Sequence, residues 1–166
     1  MWRFISLFVV VLAVLFGIEM LNPVQAAVIH PWTSFLAWFS AALMTVFDAD
    51  VISHGRIIQS QATGFGVSIE AGCNGVEAVI ILMAGMVAFP APMRLKLVGV
   101  LIGCVAVQAA NILRVISLYY LGKWDKEVFD FAHLYLWQAL IMLDVLVVWL
   151  LWIRAVAKQQ GASLAV

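Results

Sequence analysis

The sequence predicts an all-α integral membrane helical bundle, with a short interfacial helix and a small β-hairpin-like segment outside the lipid. Three observations carry this. Hydrophobic residues make up 66% of the 166-residue chain and the mean hydropathy is +1.09, far above the roughly 45–50% apolar content of soluble domains. Charged residues are only 11%. The apolar residues are gathered into long runs separated by short polar or proline-containing steps, the pattern of a polytopic helical protein. The length suits one domain. The formal net charge of 0 removes the electrostatic basis for binding nucleic acid.

The first run, 4–21, follows Arg3 and carries Glu19 near its far end. At about 1.5 Å per residue it just crosses a bilayer core, and we read it as a retained span. A basic start, an apolar stretch and Val24-Gln25-Ala26 also fit a cleaved secretory signal. Residues 32–47 give roughly 24 Å of helix, short for a span. Trp32, Trp38 and Phe39 suit the headgroup level, so an interfacial helix is expected; a true span is the alternative. Residues 48–72 change character. Short alternating stretches around Val51, Ile57 and Val67, with turn signals at His54-Gly55 and Thr63-Gly64, predict a small hairpin or pair of extended segments. Such backbone cannot face lipid.

A span is expected at 75–89, ended by Pro90-Ala91-Pro92. The next, 97–119, contains Gln108, Asn111 and Arg114. A charged loop over 122–132 leads to a span at 134–153, with His133 at its start and Asp144 inside it. With 32–47 interfacial, Arg3, Arg94, Lys96, Arg154 and Lys158 share one side and Arg56, Lys123 and Lys126 the other. The excess of basic residues marks the first side as cytoplasmic.

Candidate chemistry gathers at one depth. Cys73 stands just before the 75–89 span, Arg114 near the outer end of the next, and His133 at the outer start of the last. A helix N-terminus lowers a thiol pKa and favours the reactive thiolate. Gly72 and Gly75 allow close backbone approach and free N–H groups for an oxyanion. The bland alternative for Cys73 is an inert interfacial cysteine, and that reading is taken for Cys104. Ionisable residues inside membranes are costly and mark function. Arg114, with Asn111 and Gln108 at helical spacing on its face, is read as an anion-holding group, against a snorkelling arginine. His133 suits general acid–base work, although a lone histidine at a helix start is more often structural. Glu77, one turn after Cys73, is open to pairing with Arg114 or to catalysis. Asp144 and Glu19 are expected to face the bundle, and Trp137, Trp149 and Trp152 to pack. His30 and His54 are left as loop residues. Two cysteines make no disulfide framework. No Cys/His spacing fits zinc, and no metal or cofactor is expected.

The ordered set Cys73-Asn74-Gly75, Asn111-Ile112-Leu113-Arg114 and His133 resembles the exosortase/archaeosortase family, and the wording of residues 71–77 is closest to the exosortase H subtype. The resemblance spans about residues 48–153. It implies a single membrane-embedded domain over 1–166 in the bacterial inner membrane, its active site facing the periplasm. The implied activity is that of a cysteine transpeptidase. It would cut the C-terminal sorting tail of secreted proteins (a motif, a membrane helix and a basic end) and pass the protein to an acyl acceptor. Cys73 takes the position of the nucleophile, Arg114 and His133 those of the other triad members, and Asn111 a family motif position. Two departures stand out. Many relatives have Ser where this chain has Asn74, and many are longer. The rival classes are a non-catalytic membrane scaffold, paired through Arg114, Glu77 and Asp144, and a subunit of a transport assembly. A transport path would spread polar residues across the membrane, whereas here they gather at one level.

Overall fold

The computed structural model describes residues 2–163. Its helices are α1 (Trp2–Glu19), α2 (Asn22–Val24), α3 (His30–Met44), α4 (Val76–Ala88), α5 (Met93–Trp124), α6 (Lys126–Phe131) and α7 (Trp137–Ser163). A π turn over Gln25–Ile29 joins α2 to α3, and a second over Ala132–Leu136 joins α6 to α7. Strands β1 (Val51–His54), β2 (Ile57–Ser60) and β3 (Gly66–Ser68) form an antiparallel meander in that order. The expected helical bundle with a small extended segment before Cys73 is therefore the architecture found, with three strands where a pair was expected.

The bundle proper is α1, α4, α5 and α7. Phe4 at the start of α1 meets Phe89 and Trp149, while Glu19 at its end lies in electrostatic reach of Glu77, so α1 runs antiparallel to α4. Ala78, Leu82 and Met86 of α4 interlock with Val107 of α5 and with Trp137, Ile141, Val145 and Trp152 of α7. Gly99 leaves no room for a side chain because the Trp152 indole lies on it, and that indole donates to the Leu95 carbonyl at 2.9 Å. Trp152 is thus a packing anchor, as expected.

A second apolar cluster sits at one end of this bundle. Leu36, Ala37, Ala41 and Met44 of α3 and Val115 and Tyr119 of α5 enclose Val51, Ile58 and Ile69, so the sheet is roofed by α3 and seated on the end of α5. Asp50 pins it further. Its carboxylate accepts from the Ser60 hydroxyl and from the Ala62 N–H, and it pairs with Lys123 at 3.6 Å. The Ser60 hydrogen bond, more than any other partner, holds the Asp50 carboxyl below its ordinary range.

Several boundaries differ from expectation. The helix expected over 32–47 begins at Asn22. Pro23 stands in its first turn, where a helix tolerates proline's missing N–H. The stretch Asn22–Met44 has 23 residues, enough by length and composition to cross a membrane. Its second half nevertheless packs on the sheet rather than along the bundle. Pro31 is accommodated next to the Gln25–Ile29 π turn, where His30 N–H reaches back to Gln25, sparing the bond a proline cannot make. The span expected at 75–89 is a helix of 13 residues, roughly 20 Å against a hydrocarbon core of about 30 Å. Among the described residues, Trp2–Glu19, Asn22–Met44, Met93–Trp124 and Lys126–Gln160 are the four candidate spans by length and composition. The charged loop expected over 122–132 is mostly helix. Only Asp125 breaks it, its carboxylate capping α6 by accepting from the Glu127 and Val128 N–H groups at 2.8 and 3.0 Å.

Candidate active site

The site is built on the tight segment between β3 and α4. Cys73 N–H donates to the Glu70 carbonyl at 3.0 Å, closing a turn. Gly72 and Gly75 adopt left-handed φ of 83° and 74°, which only glycine reaches cheaply. Gly75 has a second reason to be glycine. A Cβ there would stand 2.8 Å from Gln108 Nε2 and 3.2 Å from Asn111 Cγ. The turn is tied from several sides. Asn74 Oδ1 accepts from Val76 N–H at 3.0 Å, satisfying a donor at the start of α4. Trp32 and Gln108 donate to the Asn74 carbonyl at 3.3 and 3.4 Å. Gly72 N–H donates to Glu77 at 2.6 Å.

Cys73, Arg114 and His133 come together on this frame. Cys73 Sγ lies 3.1 Å from His133 Nε2. Arg114 directs one terminal nitrogen at Sγ over 3.5 Å and donates the other to the Gly72 carbonyl at 3.3 Å. Arg114 is buried and makes no ion pair among the described residues. A buried guanidinium without a carboxylate keeps its charge for whatever enters beside it. His133 sits within the Ala132–Leu136 π turn, a feature frequent at functional sites, and stacks on Phe129 with ring centres 5.5 Å apart. A cavity of about 180 Å³ opens on all three side chains and is walled by Ser68, Leu118 and Phe129.

The thiol does not behave as a helix N-terminus alone would dictate. Burial pushes the Cys73 thiol above its ordinary range; Arg114 pulls the other way, and Glu77 and Glu70 add to the rise. Desolvation of the charged form outweighs the neighbouring cation. The balance favours the thiol form of the sulfur, which lies next to an imidazole.

Of the supporting residues, Asn74 and Gly75 shape the turn as just described. Asn111 is fully buried beneath Gly75, and neither end of its amide has a hydrogen-bond partner among the described residues. Glu77 does not pair with Arg114; its carboxylate holds the Gly72 N–H instead. Asp144 lies on α7 at a distance from the site, with one oxygen buried. Sequence reasoning missed Phe129 and Trp32. Phe129 is four residues before His133, a spacing that makes neighbours on a helix, and the signal was lost by reading 122–132 as a loop. Trp32 reaches Asn74 across 42 positions, for which no local signal exists.

The arrangement defines a class: a multi-pass membrane protein that carries a thiol, an imidazole and a guanidinium at one end of its bundle. The family of transmembrane exosortases (Exosortase EpsH) matches residues 1–151. The chain belongs to that family, and the match takes in α1 as well as the stretch that carries the motifs. Membership implies a membrane transpeptidase acting on C-terminal sorting signals. Neither the curated proteins nor the solved structures contain a match to the chain.

Proposed function

We propose that the chain cuts the C-terminal sorting tail of secreted proteins through a thioester on Cys73. The observation that carries this is the thiol held 3.1 Å from an imidazole and 3.5 Å from an uncompensated guanidinium. The Cys73 proton passes to His133 Nε2 as sulfur bonds to the substrate's carbonyl carbon. Arg114 stabilises the negative oxygen of the tetrahedral intermediate. The C–N bond then breaks, and His133 returns the proton to the leaving amine. An acceptor nucleophile attacks the thioester, loses its proton to His133, and the thiol is regenerated. The raised thiol pKa suits this order, because the base is required in the attacking step.

The same reading sets the active site on the periplasmic side. Arg94 shares a cleft with Gln159 and Gln160, and Lys96 donates to Val87 at the end of α4. The basic residues read as cytoplasmic thus lie at the bundle end opposite Cys73. A tailed reporter expressed with the protein tests the reaction. Cys73→Ala leaves the reporter uncut, whereas the wild type yields cut product and a thioester that hydroxylamine releases. Normal processing by Cys73→Ala would end the proposal.

A further inference from the structure

The sheet beside the site has an unfinished edge. Ser60 N–H donates to the Phe65 carbonyl at 2.8 Å, and Ile69 N–H donates to the Arg56 carbonyl at 3.0 Å. The register pairs Ile58 with Val67. In an antiparallel ladder, residues facing the partner strand alternate with residues facing away. Val67, the Phe65 carbonyl and the Ile69 N–H are therefore spent on the β2 side, while the Phe65 N–H turns to the Thr63 hydroxyl. The N–H and C=O groups of Gly66 and Ser68 point the other way, and none of them has a partner among the described residues. Both residues are exposed.

That edge borders a cavity of about 360 Å³, which runs between it and Gly122, Lys126 and Phe129. Val67, Ser68 and Phe129 also line the cavity that holds Cys73 and His133. The two cavities therefore adjoin, sharing those three residues, and the strand edge borders a groove next to the cavity that holds the reactive thiol. Exposed edges are normally blunted by charge, proline or a cover. This one carries two unpaired residues, a glycine among them, and Glu70 close by is occupied by Arg56 and Ser68.

We propose that the groove takes the substrate as a fourth strand. The extended residues next to the scissile bond pair with the Gly66 and Ser68 backbone, which delivers one peptide carbonyl to Cys73. Main-chain pairing supplies affinity, and the alternate side chains of the added strand are what the groove walls discriminate. This rests on the transpeptidase reading for the identity of the peptide. It adds that the peptide is bound as a β-strand by β3.

Ser68→Pro tests it. Proline deletes an edge N–H and no ladder bond, and Val67 before it is already extended, as a pre-proline residue must be. Ser53→Pro is the matched control. Ile57 and Gln59 face β1, so the same alternation turns Ser53 to the opposite edge of the sheet. Two readouts are taken with a tailed reporter: cutting by the otherwise wild-type protein, and co-purification of uncut reporter with the Cys73→Ala protein. Ser68→Pro lowers both about tenfold, the loss of one or two hydrogen bonds, while Ser53→Pro leaves both within twofold. Equal cutting and retention by Ser68→Pro overturns the strand proposal and leaves the transpeptidase reading intact. Ser68-dependent retention without any cutting by the wild type does the reverse. If Ser68→Pro fails to fold, N-methylation is scanned along a synthetic peptide of the reporter's residues before its membrane helix. Loss of competition at every second position supports strand pairing, and uniform tolerance refutes it.

Discussion

Gly75→Ala should disable the site by two separable routes. The first is conformational. At φ 74°, a residue with a Cβ carries a cost of about 1–2 kcal/mol. The second is steric. The new methyl would stand 2.8 Å from Gln108 Nε2 and 3.2 Å from Asn111 Cγ, and overpacking of that kind costs about 1–3 kcal/mol. Together they come to about 2–5 kcal/mol, placed one residue from Asn74 and two from Cys73. The turn relaxes by moving, and a shift of about 1 Å in a reacting atom costs on the order of a hundredfold in rate. Thermal unfolding in detergent reads the stability, and cutting of the tailed reporter reads the alignment. The double variant Gly75→Ala with Gln108→Ala separates the routes. Measured against Gln108→Ala alone, which loses the hydrogen bond to the Asn74 carbonyl, it recovers the Gln108 part of the steric loss and leaves the conformational part. A Gly75→Ala protein that melts and cuts like the wild type would refute the reasoning, as would a double variant that recovers nothing.

Arg114→Lys keeps the charge but loses the fork that reaches both Cys73 and the Gly72 carbonyl; cutting should fall about 10²–10³-fold, measured as initial rate of reporter cleavage, with Cys73 still alkylated. The Cys73 thiol itself should titrate high. Burial disfavours its thiolate, so in a His133→Ala protein labelling by iodoacetamide is slow at neutral pH. It rises with pH through a midpoint above the ordinary thiol value of about 8.5. Adding Arg114→Met removes the one attraction that opposes burial and moves the midpoint higher still; a midpoint that stays put or falls contradicts the assignment.

Depth was the legible part of this site. Spans fix how far each residue sits along the membrane normal, so Cys73, Arg114 and His133 could be set level from hydropathy alone. Their closing to within hydrogen-bonding reach depends on helix rotation, which hydropathy does not encode when helices are apolar all round. Glu77 illustrates the gap. Helical spacing put it on the Cys73 face, and only the fold shows that Gly72 N–H takes its carboxylate. The Asn22 helix start was hidden because Pro23 reads equally as a terminator and as a first-turn residue. Asp125 was hidden because its cap is a local hydrogen bond inside a charged run. Alternation around Val67 marked an extended segment, but at three residues it could not say which strand it pairs with, and its pairing to β2 is what leaves the edge beside the thiol.

The π turn that carries His133 sets the phase between two ends of one long helix. An α-helix advances about 100° per residue, so the extra residue in Ala132–Leu136 rotates everything before it relative to everything after. The apolar seam of α7 can stay locked to α4 and α5 while the imidazole points at the thiol. Removing that residue would let the helix run regular and would swing His133 away from sulfur with the bundle intact. Phase is thus a quantity this fold can alter without touching its core, and a one-residue insertion or deletion there separates a sound membrane bundle from a reactive one.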